Sequence, residues 1–299
     1  MSQASVFYPL VFGMLGALIG SFLNVVIYRL PREGLKISSP RRSFCPQCNR
    51  QLLWTENIPI FSWVFQGGRC RTCKASIPSR YVIVEVLTAL LFGYYTVRTL
   101  DTNPDLGSVT TYLQMFAGYY LIAVCLAVTY IDIDWKIIPD EITWSGMGLG
   151  LLASVAVPAL HAESWPNYIW QGDLGWSPYL SAGLSSVAGL ATGVLVVLAI
   201  GWLGQLAFRK EAMGLGDVKY MGLVGAFLGL DGVLFVFLLG CITGAVGGLV
   251  QRAVTGDRYI AFGPYLSLGT LLMLFYRTGI VVFFLVGWPS MVRRMMGVV

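Results

Sequence analysis

Two short acidic segments stand where long apolar runs of this sequence end or begin. The first reads Tyr130-Ile131-Asp132-Ile133-Asp134-Trp135-Lys136-Ile137-Ile138-Pro139-Asp140, and the second Met213-Gly214-Leu215-Gly216-Asp217-Val218-Lys219. A carboxylate at the edge of a hydrocarbon layer is costly unless paired or hydrated, so each segment is a candidate for function. Two carboxylates brought within a few ångströms cannot both ionise readily; one keeps a proton while the other takes one from water. Such a pair activates water against a peptide carbonyl without a metal, and Asp217 with one aspartate of the first segment would supply it. Gly214 and Gly216 lack a Cβ and would let a substrate backbone come close. Lys219 would either bias the pair electrostatically or anchor its helix at the interface. Plainer roles stay open on residue type alone: Asp132 can pair with Lys136 at i,i+4, and Asp217 can cap a helix. Asp134 and Asp140 compete with Asp132, although hydration in a loop is the simpler account of both.

Four of the six cysteines form a second constellation, Cys45-Pro46-Gln47-Cys48 and Cys70-Arg71-Thr72-Cys73. Two residues between the sulfurs of each pair let all four thiolates bind one tetrahedral zinc ion. The 21 residues between the pairs slightly exceed the usual zinc-ribbon spacing. Two disulfides are the alternative, and a reducing compartment disfavours them. Four thiolates leave no position for a water, so the expected zinc is structural. Cys125 and Cys241 stand alone in apolar runs and read as small buried side chains.

The elements that must position these residues are membrane helices. Of 299 residues, 56% are hydrophobic and only 12% charged, about half the charged fraction of a soluble domain. Apolar runs at 7–27, 113–131, 182–205 and 233–250 approach the roughly 20 residues that span the bilayer as a helix. Residues 1–28 hold no Lys or Arg, so the first run reads as an uncleaved span rather than a signal peptide. Ten of the twenty Lys and Arg lie between Arg29 and Arg80, which places that loop in the cytoplasm. Further helices are expected near 82–99, 113–131, 142–160 and 180–206, two short ones within 219–250, and one or two within 259–297. The connection 161–179 has no Lys or Arg and carries Trp165, Trp170 and Trp176, as an outer loop with interfacial aromatics would. Both acidic segments then fall on the cytoplasmic side. The fold class is all-α: a polytopic helical membrane protein of about eight spans with a small cytoplasmic zinc-knuckle loop. No internal repeat is evident. The basic loop suits substrates or anionic lipid headgroups, and no nucleic-acid partner is expected. A transporter would place polar groups at mid-bilayer in matching halves, a pattern absent here.

At these residues the chain resembles the type IV prepilin peptidases. The likeness includes Gly20-Ser21-Phe22-Leu23-Asn24-Val25-Val26-Ile27-Tyr28-Arg29-Leu30-Pro31, then Glu56-Asn57-Ile58-Pro59 between the cysteine pairs, and Ser79-Arg80-Tyr81 and Glu85-Val86-Leu87-Thr88 after them. It continues through Asp132, seven residues before Pro139, and Gly214-Leu215-Gly216-Asp217-Val218-Lys219 to Phe262-Gly263-Pro264-Tyr265. The resemblance implies that Asp132, not Asp134 or Asp140, partners Asp217 in catalysis. It also implies an enzyme of the bacterial inner membrane that cuts the basic leader from prepilins and type II secretion pseudopilins. Residues 1–110, with the cysteine loop, would methylate the new N-terminus using S-adenosylmethionine, and residues 111–299 would form the peptidase. Two departures fall in the methylation part: Val82 and Ala89 stand where many members have Pro and Gly. Glu85 has Arg80 as an expected partner. No donor site can be read from the sequence.

Overall fold

The computed structural model describes residues 3–40, 42–103, 105, 108–164, 170–171, 175–209, 213–256 and 260–289. Each long apolar run becomes a helix. In chain order these are α1 (Gln3–Arg29), α2 (Phe61–Phe65), α3 (Arg80–Thr102), α4 (Val109–Trp135), α5 (Asp140–Ala156), α6 (Pro178–Phe208), α7 (Leu215–Thr255) and α8 (Gly263–Val282). No strand occurs among the described residues. Among the described residues six helices are long and apolar enough to cross a bilayer, and the chain is a multi-pass membrane protein. The 17 residues of α5 meet the lower limit for a span. Counting broken α7 as two and adding α5 gives the expected eight.

Helix ends follow local chemistry. Ser177 caps α6 by accepting a hydrogen bond from Leu180 N at 3.3 Å, with Pro178 in the first turn. The left-handed residues Lys136, Arg209 and Gly256 close α4, α6 and α7. The expected helix at 142–160 stops at Ala156, because Pro158 disfavours helical backbone at the preceding Val157, which takes φ −132°. The two short helices expected within 219–250 are one element of 41 residues, interrupted at Gly229 with φ 73° and ψ −175°. Only glycine adopts that backbone easily. Beside the break, the Ala226 carbonyl accepts from Ser154 Oγ (3.1 Å) and Ser186 Oγ (2.6 Å), so side chains satisfy backbone near the interruption. A π-helical turn, Phe283–Gly287, follows α8, and residues 290–297 of the expected terminal stretch lie outside the described residues. Trp165 also lies outside them, while Trp170 and Trp176 stack with centroids 5.8 Å apart.

The chain divides into two compact units, Met1–Pro139 and Asp140–Val299. In the first, α1 packs on α3 through a glycine stripe: a Cβ on Gly16 would lie 2.7 Å from Thr88 O, and one on Gly20 2.7 Å from Glu85 Cα. Small residues give such interfaces their close backbone approach. A Cβ on Gly16 would also lie 2.9 Å from Ala89 Cα. On the next face, Phe92 of α3 stacks on Tyr119 of α4 at 4.3 Å. In the second unit α6 and α7 meet at Gly189 and Gly225, where a Cβ on either would stand 2.2 or 2.1 Å from the other's carbonyl oxygen.

Candidate functional site

The cysteine loop joins α1 to α3 and is tied down by its own basic residues. Arg29, 4% exposed at the end of α1, donates to the carbonyls of Ile37 (3.0 Å), Pro40 (2.7 Å) and Arg42 (3.2 Å). Each cysteine pair forms a knuckle built the same way. Cys45 N donates to Arg50 O and Asn49 N to Cys45 O; 25 positions on, Cys70 N donates to Ala75 O and Lys74 N to Cys70 O. Asn49 (φ 54°) and Lys74 (φ 61°) hold equivalent left-handed positions, and bridges Phe44–Gln51 and Arg69–Ser76 close the two turns. The local duplication escapes sequence inspection because its common features are mostly backbone bonds.

The knuckles bring Cys45, Cys48, Cys70 and Cys73 together, with all four sulfurs within 4.8 Å of one another. Cys45 Sγ and Cys73 Sγ are 3.8 Å apart. A tetrahedral ion with 2.3 Å bonds to sulfur sets its ligands about 3.8 Å from each other, so the cluster fits one metal ion. All four cysteines are free thiols. Backbone N–H groups of Cys73 and Thr72 pull the Cys70 thiol down to about 6. For Cys73, the Ala75 N–H favours the thiolate, but burial and the three neighbouring sulfurs push it up to about 11. Four thiolates cannot share this space without a cation between them. Glu56, 6% exposed, fastens the knuckles by accepting from Arg50 Nη2 at 2.6 Å and Leu53 N at 2.9 Å, with Arg71 Nε at 3.7 Å. The Arg50 hydrogen bond, then that of Leu53, holds its carboxyl below the usual carboxylate range.

The acidic segments occupy helix ends. Asp132 lies in the last turn of α4, in the first unit, and is 6% exposed; its carbonyl accepts from Lys136 N at 2.9 Å. Its competitors differ: Asp134 and Asp140 are exposed, and each is ion-paired rather than merely hydrated. Asp134 accepts from Arg80, which removes the expected Arg80–Glu85 pair. Asp140, the first residue of α5, receives Lys219 Nζ at 2.7 and 2.8 Å. Lys219 therefore ties the start of α7 to the start of α5 within the second unit. Asp217 is half-buried in the first turn of α7. Gly214, not Asp217, is the N-cap of α7. A Cβ on Gly214 would lie 3.6 Å from Asp217 Oδ2, so glycine leaves that side of the carboxylate open. Gly216 lies inside the same turn, where the positive end of the helix dipole favours an anionic neighbour.

The first unit also holds a cavity of about 390 Å³ between the end of α1, the start of α3 and the cysteine loop. Asn24, Tyr28, Glu56, Trp63, Tyr81 and Glu85 are among its lining. All of its lining lies between Ser21 and Glu85.

Comparison with known proteins says what this helical membrane protein, with its four-cysteine loop and carboxylates at helix ends, is similar to. Residues 14–99 match the bacterial peptidase A24 N-terminal domain, and residues 119–249 match the type IV leader peptidase family. A protein of Aeromonas salmonicida is 33% identical over 292 residues, 88% of each chain. One of Pseudomonas aeruginosa is 32% identical over 280 residues, 85% of this chain and 86% of its own. One of Neisseria gonorrhoeae is 31% identical over 292 residues, 89% and 91% respectively. All three are named prepilin leader peptidase/N-methyltransferase. The chain belongs to the type IV leader peptidase family, and it is an enzyme, a peptidase with an N-methyltransferase part. The cysteine loop falls in the first matched segment, and Asp132 and Asp217 in the second. No solved structure matches the chain at a significant level.

Proposed function

We propose that this enzyme removes the leader of type IV prepilins and type II secretion pseudopilins at the cytoplasmic face of the bacterial inner membrane, then methylates the N-terminus it creates. The observation that carries the peptidase reading is the contrast within one segment. Asp132 is buried at a helix end while Asp134 and Asp140 are exposed and ion-paired, and burying a carboxylate at such a boundary needs a functional reason.

Asp132 and Asp217 share one proton. The ionised member takes a proton from water as it attacks the scissile carbonyl, while the protonated member gives its proton to the carbonyl oxygen; on collapse the proton taken from water passes to the leaving amine, and the other carboxylate takes the hydroxyl proton back. Gly214 and Gly216 keep the approach to Asp217 open for the extended substrate backbone. Lys219, held by Asp140, orients the first turn of α7. The substrate's basic leader meets the acidic helix ends, and its apolar helix stays in the lipid. Residues 1–110 form the methylating part and residues 111–299 the peptidase part, a division supported by two family matches that leave 100–118 between them. Cys45, Cys48, Cys70 and Cys73 hold one structural zinc ion, which cross-links the loop and has no open position for catalysis. S-adenosylmethionine supplies the methyl group when bound.

The test is to incubate the purified enzyme with a prepilin and S-adenosylmethionine, then measure the product's mass. The expected product is cut after the leader's glycine and carries one methyl group. An intact prepilin would overturn the peptidase reading. A cut but unmodified N-terminus would leave a peptidase only.

A further inference from the structure

The cavity of the first unit has one feature that its packing leaves unexplained. Glu85 is 8% exposed on its wall and accepts a hydrogen bond from Ile60 N at 2.6 Å, with the Ser21 hydroxyl as a second partner. Among the described residues no Lys or Arg forms an ion pair with it, since Arg80 is engaged by Asp134. Glu56, the other carboxylate on this wall, already has Arg50 at 2.6 Å. A buried carboxylate that lacks a cation is costly. Here the fold takes further measures to keep Glu85 in place. Ile60, whose N–H reaches it, takes φ 65°, a left-handed backbone that a β-branched residue avoids. Gly20 lets α1 close over the Glu85 backbone. Strain and burial spent on one acidic group mark a site for a cationic guest.

The rest of the wall describes that guest. Tyr28, Trp63 and Tyr81 offer aromatic surface for a flat ring or a cation. The Trp63 indole is fixed by its N–H bond to Ile77 O at 3.1 Å. Arg32, stacked on Tyr28 with its guanidinium carbon 3.9 Å from the ring centre, offers a counter-charge for a carboxylate. The volume of about 390 Å³ lies in the range of small-molecule sites. A sulfonium cation bearing a purine and an amino acid has all of these parts.

We infer that this cavity binds the methyl donor and that Glu85 is the counter-charge to its sulfonium centre. The assignment rests on the methyltransferase reading above. In transfer, a nitrogen–carbon bond forms as the sulfur–carbon bond breaks; its electron pair stays on sulfur, and the amine proton passes to solvent. The guest thereby changes from cation to neutral thioether, and Glu85 holds the cation more tightly than the thioether, which favours product release.

Titration calorimetry on the full-length protein would compare S-adenosylmethionine, sinefungin (with an ammonium at the sulfonium position) and neutral S-adenosylhomocysteine. Glu85→Gln should weaken the two cationic ligands roughly tenfold or more, as expected for one lost charge-assisted contact, and leave the thioether nearly unchanged. Retained thioether binding shows that the cavity is intact. No change for any ligand, or equal loss for all three, would overturn the inference. Should Glu85→Gln fail to fold, photo-cross-linking of labelled donor to the wild-type chain decides: label within 21–85 supports the cavity, and label within 140–299 overturns it. An enzyme that methylates cleaved product but leaves the cavity unlabelled refutes this site alone. An enzyme that neither methylates nor binds the donor refutes the methyltransferase reading beneath it.

Discussion

Glu56 is the most testable joint of the cysteine loop. Replacing it by Gln keeps its shape but removes the charge that Arg50 (2.6 Å) and Arg71 (3.7 Å) share between the two knuckles. Its amide group would also point N–H bonds toward guanidinium donors. Hydrogen bonds to charged groups contribute about 1.5–3 kcal/mol. Taking about 2 kcal/mol, the opening equilibrium of the loop rises roughly 30-fold. Hydrogen exchange of peptides from 44–76, read by mass spectrometry, would report this as a matching acceleration near neutral pH. The effect depends on pH in a definite sense. The carboxyl is held below its ordinary value in the folded loop, so its stabilisation is present above the unfolded value near pH 4.3 and fades as pH falls through the folded one. Compared at equal pH, the ratio of variant to wild-type exchange should therefore close toward one in acid. Equal rates at neutral pH, or a ratio that does not change with pH, would refute the assignment of Glu56 as the charged fastener.

The four-cysteine site predicts about one zinc per chain by metal analysis, and Cys48→Ser or Cys73→Ser should lower that content and loosen the loop. Zinc-free protein with the four thiols in disulfides would contradict it. The α6–α7 contact predicts that Gly225→Ala costs about 3 kcal/mol or more, since its Cβ would meet the Gly189 carbonyl at 2.1 Å and backbone cannot step aside. Gly148→Ala on α5, with nothing within 4 Å of its Cβ, should be neutral or raise stability by about 0.5–1 kcal/mol. Thermal melting in detergent separates the two, and equal melting points would show that the close approach is misjudged.

The legible part of this molecule was what periodicity and spacing encode. Apolar runs gave the helices to within a few residues, because a bilayer leaves helix as their only open choice. Gly229 turned the expected pair of helices into one interrupted element. Cys-x-x-Cys spacing identified the cluster before its geometry was known. What stayed hidden depends on neighbours distant in the chain. Arg80 lies five residues from Glu85 yet pairs with Asp134, 54 positions away. Lys219 reaches Asp140 across 79 positions. The importance of Glu85 emerges only when α1, α3 and the loop close a cavity around it. Asp132 had two competitors in its segment, Asp134 and Asp140, against which the resemblance chose; its burial sets it apart from both, and its catalytic partnership with Asp217 is a matter for experiment.

That experiment is leader cleavage by aspartate variants, followed on a prepilin in detergent with membrane insertion checked independently. An amide cannot take a proton from water, and members of a dyad act as one unit. Asp132→Asn and Asp217→Asn should each abolish cleavage, and the double variant should be no worse than either. Asp134→Asn loses only an exposed ion pair and Asp140→Asn only the exposed tether of Lys219, so both should retain most activity, with Asp140→Asn the lower of the two. Normal cleavage by Asp217→Asn, or an inactive Asp134→Asn beside an active Asp132→Asn, would contradict the account.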